Sequence, residues 1–139
     1  MSIAVIIVGY NRLESIVNLS SSLSRAEYGR TVDLIFSIDK GRNQQKIVDF
    51  AENFEWPNGS KRVRAFRERQ GLRKHVVQCG DLTDEYDSVV VLEDDLEVSP
   101  YFLSYVQEMI EAYGDDPDIA GISLYKHEQH PGVCRPFEP

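Results

Sequence analysis

The chain has 139 residues, of which 42% are hydrophobic and 27% charged, with a formal net charge of −8. That length suits one compact domain, and the composition is ordinary for a soluble globular protein. The negative balance argues against a nucleic-acid binder and against docking on an anionic membrane, because both need an excess of positive charge.

The run Ile3 to Val8 is continuously apolar and rich in β-branched residues, as expected of a strand buried on both faces of a parallel sheet. Asn11-Arg12 then opens a helix whose apolar positions are Leu13, Ile16, Val17 and Leu23. Val32 to Ile38 is a second strand ending at Asp39, and Asn43 to Phe54 reads as a helix with an inner stripe of Ile47, Val48, Phe50, Ala51 and Phe54. Trp56 to Gly59 is a turn, Val63 to Phe66 a short third strand, and Gly71 precedes a helical segment through Val76, Val77 and Cys79 toward Leu82. Ser88 to Leu92 is the strongest strand signal, and it predicts full burial; Glu93-Asp94-Asp95 follows at once. Ser99 fits a helix N-cap, with Pro100 at the first helical position. Phe102, Tyr105, Val106, Met109, Ile110 and Tyr113 recur at helical spacing, and Gly114 closes that helix. Ile119 to Leu124 predicts a final strand, and Lys126 to Pro139, with three prolines, reads as loop.

Roughly five strands with interleaved helices imply a mostly parallel, doubly wound α/β sheet with right-handed crossovers. Ligands of such sheets bind beyond the carboxyl ends of the strands, near the point where strand order reverses. Four segments occupy those ends: Gly9 to Arg12, Asp39 to Arg42, Arg67 to Arg73 and Glu93 to Glu97. A basic stretch from Lys61 to Lys74 precedes the acidic one, and most of these charges are read as solvated surface. Cys79 and Cys134 lie far apart without metal-ligand spacing, so Cys79 reads as a buried thiol and a reducing cytoplasm is the expected setting. The apolar start has no basic leader and breaks at Gly9, too early for a signal peptide or a membrane span.

Three adjacent carboxylates repel one another unless a cation or strong donors offset them. Mg²⁺ and Mn²⁺ take one or two carboxylates and complete the shell with phosphate oxygens and water. The plainer alternative is a solvated acidic turn before the helix that begins near Ser99. Receiver domains of phosphorelay systems also place paired acids after an apolar strand, but after the first strand rather than the fourth. Asp39 either caps a turn or accepts from a base or ribose. Asn11 either caps the first helix or belongs to the site, and Arg12 has the reach to meet a phosphate. Val-Gly-Tyr-Asn-Arg carries neither a Walker lysine loop nor a G-x-G-x-x-G fingerprint, which argues against P-loop and NAD chemistry.

Together these segments resemble the GT-A class of nucleotide-sugar glycosyltransferases. Val5 to Arg12 resembles that class's first strand and tyrosine-asparagine turn, with Gly9 in place of the usual Pro. Ser37-Ile38-Asp39 resembles its second-strand Asp. Val89 to Pro100 is similar to the acidic motif and following helix of the N-acetylglucosaminyltransferase that initiates complex N-glycans. Arg69-Gln70-Gly71 departs from the Asn-x-Gly of many members. The resemblance implies a Rossmann-like, UDP-binding half that uses Mn²⁺ or Mg²⁺, with Asp95 as the metal ligand. It implies that Glu93 and Asp94 hold ribose or sugar hydroxyls and that Asp39 accepts from uracil. Tyr10, Asn11, Arg12 and His75 would line the donor pocket, and Arg73 or Lys74 would add positive field.

The implied activity is transfer from a nucleotide-sugar to a glycan or lipid-linked acceptor by a bacterial, cytoplasmic enzyme. Residues 1–126 would form the donor domain, and 127–139 would start an acceptor-binding region; peripheral membrane association would come through regions beyond this chain. The general base is expected outside the chain, Glu128 and Glu138 being candidates by location alone. The rival reading is a truncated or inactive transferase-like module that binds without turnover. A nucleotidyltransferase would need a glycine-rich basic loop after the first strand, which is absent.

Overall fold

The structure, a computed structural model, describes residues 1–124. The chain divides into two compact units, Met1–Leu103 and Ser104–Pro139. In chain order the elements are β1 (Ile3–Gly9), α1 (Leu13–Arg25), β2 (Asp33–Ile38), α2 (Gln44–Asn53), β3 (Lys61–Ala65), α3 (Leu72–Gly80), a 3₁₀ turn at Asp81–Asp84, β4 (Ser88–Glu93) and α4 (Phe102–Tyr113). Among the described residues one sheet forms, in the order β3-β2-β1-β4, and every pairing is parallel. This is the α/β, Rossmann-like architecture expected from the alternating pattern.

β1 is buried along its whole length because it has a strand on each side and helices on each face. Ala4, Ile6 and Val8 face one way and pack with Ile35, Cys79 and Leu82, which places α3 and the 3₁₀ turn on that face. Ile7 lies beside Phe36 in the register, and Phe36 meets Phe50 and Phe54 edge-on at 6.3 and 5.7 Å, which places α2 on the opposite face. Aromatic pairs in this arrangement add to the stabilisation from area burial alone. Cys79 is a free, buried thiol, and burial pushes it above its ordinary value.

Two expectations fail here. Ser88 to Leu92 forms β4, but Val89 and Val91 are only half-buried, because β4 is an edge strand with β1 as its one neighbour among the described residues. Ile119 to Leu124 forms no strand. In the second unit, α4 ends where Gly114 N–H donates to Ile110 O at 2.7 Å, and a turn at Asp116 follows. Beyond it Ile119, Ile122 and Leu124 stay exposed. An apolar run becomes a strand only where a ladder and a cover exist for it, and Gly121 weakens this one further. The segment 126–139, with Glu128, Cys134 and Glu138, lies outside the described residues.

Candidate active site at the carboxyl ends of the strands

Because all four strands run parallel, Gly9, Asp39, Phe66 and Glu93 finish along the same edge of the sheet. The chain winds outward from β1 through β2 to β3, then crosses back to place β4 on the other side of β1. The order therefore reverses between β1 and β4, and this crevice is where such sheets take their ligands.

Arg12 lies three residues beyond the end of β1, and the acidic turn follows β4. Arg12 Nη2 donates to Asp94 Oδ1 at 2.7 Å and lies 3.8 Å from Asp95 Oδ2. The Asp94 side chain is 9% exposed, whereas those of Arg12 and Asp95 are 59% and 52% exposed. Burial raises the Asp94 carboxyl above its ordinary value; the Arg12 charge and hydrogen bond oppose this, and Asp95 adds to the rise. The three acids thus diverge: Glu93 and Asp95 face water and Asp94 turns inward. Among the described residues no group of three or more His, Cys, Asp or Glu side chains is placed to hold a metal ion.

Arg12 stands at the N-cap position of α1, where no side chain caps the helix. A cation there opposes the helix dipole, so the carboxylates of the acidic turn rather than the helix account for its place. Asn11 does not cap α1, contrary to one of its two readings. Its Oδ1 accepts from Asn43 N–H at 3.2 Å, and its backbone carbonyl accepts from Asn43 Nδ2 at 2.9 Å. The pair ties the end of β1 to the start of α2. Gly41 lies against this junction so closely that a Cβ would stand 2.7 Å from Tyr10 Cε2 and collide with Asn11 Oδ1. Tyr10 in turn carries the Arg69 guanidinium 5.0 Å from its ring centre, a favourable cation–π geometry.

Asp39, 3% exposed, directly follows β2. Its N–H donates to Gly9 O at 2.8 Å. Its carboxylate accepts from the backbone N–H groups of Lys40, Gln70 and Gly71 at 2.7, 2.8 and 3.0 Å. Arg73 and Lys74 are exposed at the start of α3 and line a shallow depression with Gln70, Gly71, Leu72, Val77 and Gln78.

His75 is elsewhere. It is 1% exposed, on the sheet side of α3. Its Nε2 lies 2.7 Å from Ser37 Oγ, and its ring meets Phe66 edge-on at 5.1 Å. Arg64 donates to the same Ser37 oxygen through Nε and Nη2 at 3.1 and 2.9 Å, so the Ser37 hydroxyl proton goes to His75 Nε2 and the imidazole is neutral. Burial holds His75 below its ordinary value; Asp39 opposes and Arg64 reinforces this.

The structure therefore brings Tyr10, Asn11, Arg12, Asp39, Glu93, Asp94 and Asp95 to one edge, with Arg73 on the neighbouring helix and His75 beneath that helix. Gly41, Arg69 and Gln70 fall within the strand-end segments Asp39 to Arg42 and Arg67 to Arg73, whereas Asn43 joins the site from outside them. The run Asp39-Lys40-Gly41 held a signal for a close approach, but nothing local marks Asn43 as the partner of Asn11.

No protein-family model and no curated protein sequence matches the chain. Solved structures do. Staphylococcus aureus TarS 1-349 superposes with a TM-score of 0.62 at 19% identity, covering 82% of this chain and 33% of that one. The same TarS fragment in complex with UDP gives 0.62 at 18% identity with the same coverage. A further TarS structure gives 0.63 at 17% identity, covering 93% of this chain and 24% of the other. The fold is thus a parallel, Rossmann-like α/β sheet with a candidate ligand crevice at its switch point. It is the fold found in TarS, and this chain spans a third or less of the TarS structures it matches.

Proposed function

We propose that this chain is the donor-binding part of a glycosyltransferase that takes its sugar from a UDP-sugar or a related nucleotide-sugar and uses a divalent cation. The observation that carries this reading is the Arg12–Asp94–Asp95 constellation, set at the switch point of a fold shared with TarS, a glycosyltransferase whose structure includes a UDP complex. The acceptor is a glycan or a lipid-linked acceptor in the same reading, and the likeness to the N-acetylglucosaminyltransferase of complex N-glycans rests on Val89 to Pro100 alone.

The donor set suits Mg²⁺ or Mn²⁺ held with few protein ligands. Asp95 presents a half-exposed carboxylate, Asp94 is engaged by Arg12, and no cage of described residues surrounds them; diphosphate oxygens and water would fill the remaining positions. Held there, such an ion would supply Lewis-acid stabilisation of the leaving diphosphate. Arg12, more than half exposed, is free to turn toward the same phosphates and add a charge-assisted hydrogen bond. Glu93, beside Asp94 at the strand end, is open to sugar or ribose hydroxyls.

Thermal unfolding with UDP, with and without Mn²⁺, tests this. The wild type is expected to gain several degrees only with both present, and Asp95→Asn to lose most of that gain. Absence of any shift in the wild type would sink the nucleotide-sugar reading. Binding without UDP-sugar hydrolysis would assign the chain to donor binding without turnover.

A further inference from the structure

Arg12 reaches both carboxylates that the divalent cation would need. Its Nη2 donates to Asp94 Oδ1 at 2.7 Å and stands 3.8 Å from Asp95 Oδ2. Among the described residues it is the one cation paired with either acid. Little else holds the guanidinium in place. The side chain is 59% exposed, and its hydrogen bond to Asp94 is the only one it makes among the described residues. The N-terminus of α1, where it stands, repels a positive charge.

The two acids differ in what they require. The Asp94 side chain is 9% exposed, and taking away its partner would leave an uncompensated charge in a nearly buried place. The Asp95 side chain is 52% exposed and is served by water. Arg12 therefore leaves Asp94 only where another positive charge replaces it, and at least cost where an anionic partner awaits the guanidinium. A metal ion alone meets the first condition. A metal ion accompanied by a diphosphate meets both.

We propose that Arg12 is an internal counter-cation that couples metal loading to the arrival of the nucleotide. In the free protein its guanidinium engages the oxygens that Asp94 and Asp95 offer, so a divalent ion by itself must compete with it. An anionic donor draws the guanidinium away and frees the carboxylates. This rests on the nucleotide-sugar reading and adds a binding order to it: metal and nucleotide enter together, each raising the affinity for the other by the same factor.

Binding of Mn²⁺ without nucleotide is measured by electron paramagnetic resonance of the free ion, for the wild type, Arg12→Gln and Arg12→Gln/Asp95→Asn. Removal of a competing, largely exposed ion pair predicts that Arg12→Gln binds Mn²⁺ alone about threefold to fivefold more tightly than the wild type. The double variant should lose that gain. Affinity for UDP with saturating Mn²⁺, measured by calorimetry, should fall by about tenfold in Arg12→Gln. The opposite signs separate this role from a structural one, in which a loosened acidic turn would weaken both. A second readout uses the wild type alone: the Arg12 Nε–H resonance should shift with Mg²⁺ and UDP together and stay in place with Mg²⁺ alone. Arg12→Gln that binds Mn²⁺ alone no more tightly than the wild type, or an Arg12 resonance that does not move when Mg²⁺ and UDP are both bound, overturns the proposal, while UDP binding by the wild type keeps the nucleotide reading standing. A wild type that binds no UDP in the presence of Mn²⁺ overturns both.

Discussion

At the scale of single residues, Arg12 is the most informative group, because it joins two ends of the chain's chemistry. Its guanidinium is more than half exposed, and Asp94 beneath it is nearly buried. An exposed ion pair contributes up to about 1 kcal/mol, while breaking a buried one costs about 3–5 kcal/mol. Water reaches this pair from the arginine side, so Arg12→Gln should cost roughly 1–2 kcal/mol at neutral pH. The pH dependence has a definite sign. Burial raises the Asp94 carboxyl, so the folded protein favours its neutral form. That contribution is complete below the ordinary carboxylate range and is lost as pH rises through the folded-state value. Removing Arg12 takes away the charge that opposes the rise, so the variant's deficit in urea unfolding should shrink from neutral pH toward about 4. A deficit constant over that window would mean that Arg12 acts by packing and not by charge. The acidic triplet and Arg12 were both legible in the sequence, because short motifs at strand ends are local. Their pairing was not, and neither was the bond between Asn11 and Asn43: each is made across the fold, and a capping reading of Asn11 could not know of it. The same holds for Asp39, whose place at the end of β2 was legible and whose three backbone partners were not.

At the scale of elements, the strands were recognisable wherever burial on both faces left no choice of residue. Ile3–Gly9 and Asp33–Ile38 are such runs. β3 was harder: Lys61-Arg62-Val63-Arg64-Ala65 has charges where an interior strand would have aliphatics, and it lies at the sheet edge. Those charges are put to use. Lys61 Nζ donates to the carbonyls of Ala51, Glu52 and Phe54 at 2.6, 2.8 and 2.6 Å, capping α2, whose own last turn has no basic residue. Arg62 pairs with Glu85 at 2.9 Å. A cation at the last carbonyls of a helix contributes up to about 1 kcal/mol. Lys61→Met should therefore lower Tm by about 4 °C without altering nucleotide affinity, and a change in affinity would show that α2 moves with the site. Ile119–Leu124 has no described strand paired with it, and Gly121 interrupts it; apolar content alone does not make a ladder.

At the scale of the whole molecule, the buried imidazole under α3 couples global stability to pH. His75 is held below its ordinary value by burial, so the unfolded chain takes up a proton before the folded one does. Its contribution is present above about 6.5 and lost as pH falls below that. The stability of the wild type should decline from about pH 7 to 5, and His75→Gln, which keeps a neutral polar group beside Ser37, should flatten that slope; equal slopes would place the titration in other groups. The strand order has a consequence for biosynthesis. β1 is the first strand in chain order, yet it lies between β2 and β4, and its second partner, Ser88–Glu93, emerges from the ribosome some eighty residues later. Pairings this distant close slowly. Through that interval one edge of Ile-Ala-Val-Ile-Ile-Val-Gly stands unpaired, a template for nascent-chain aggregation and a natural recognition site for a chaperone.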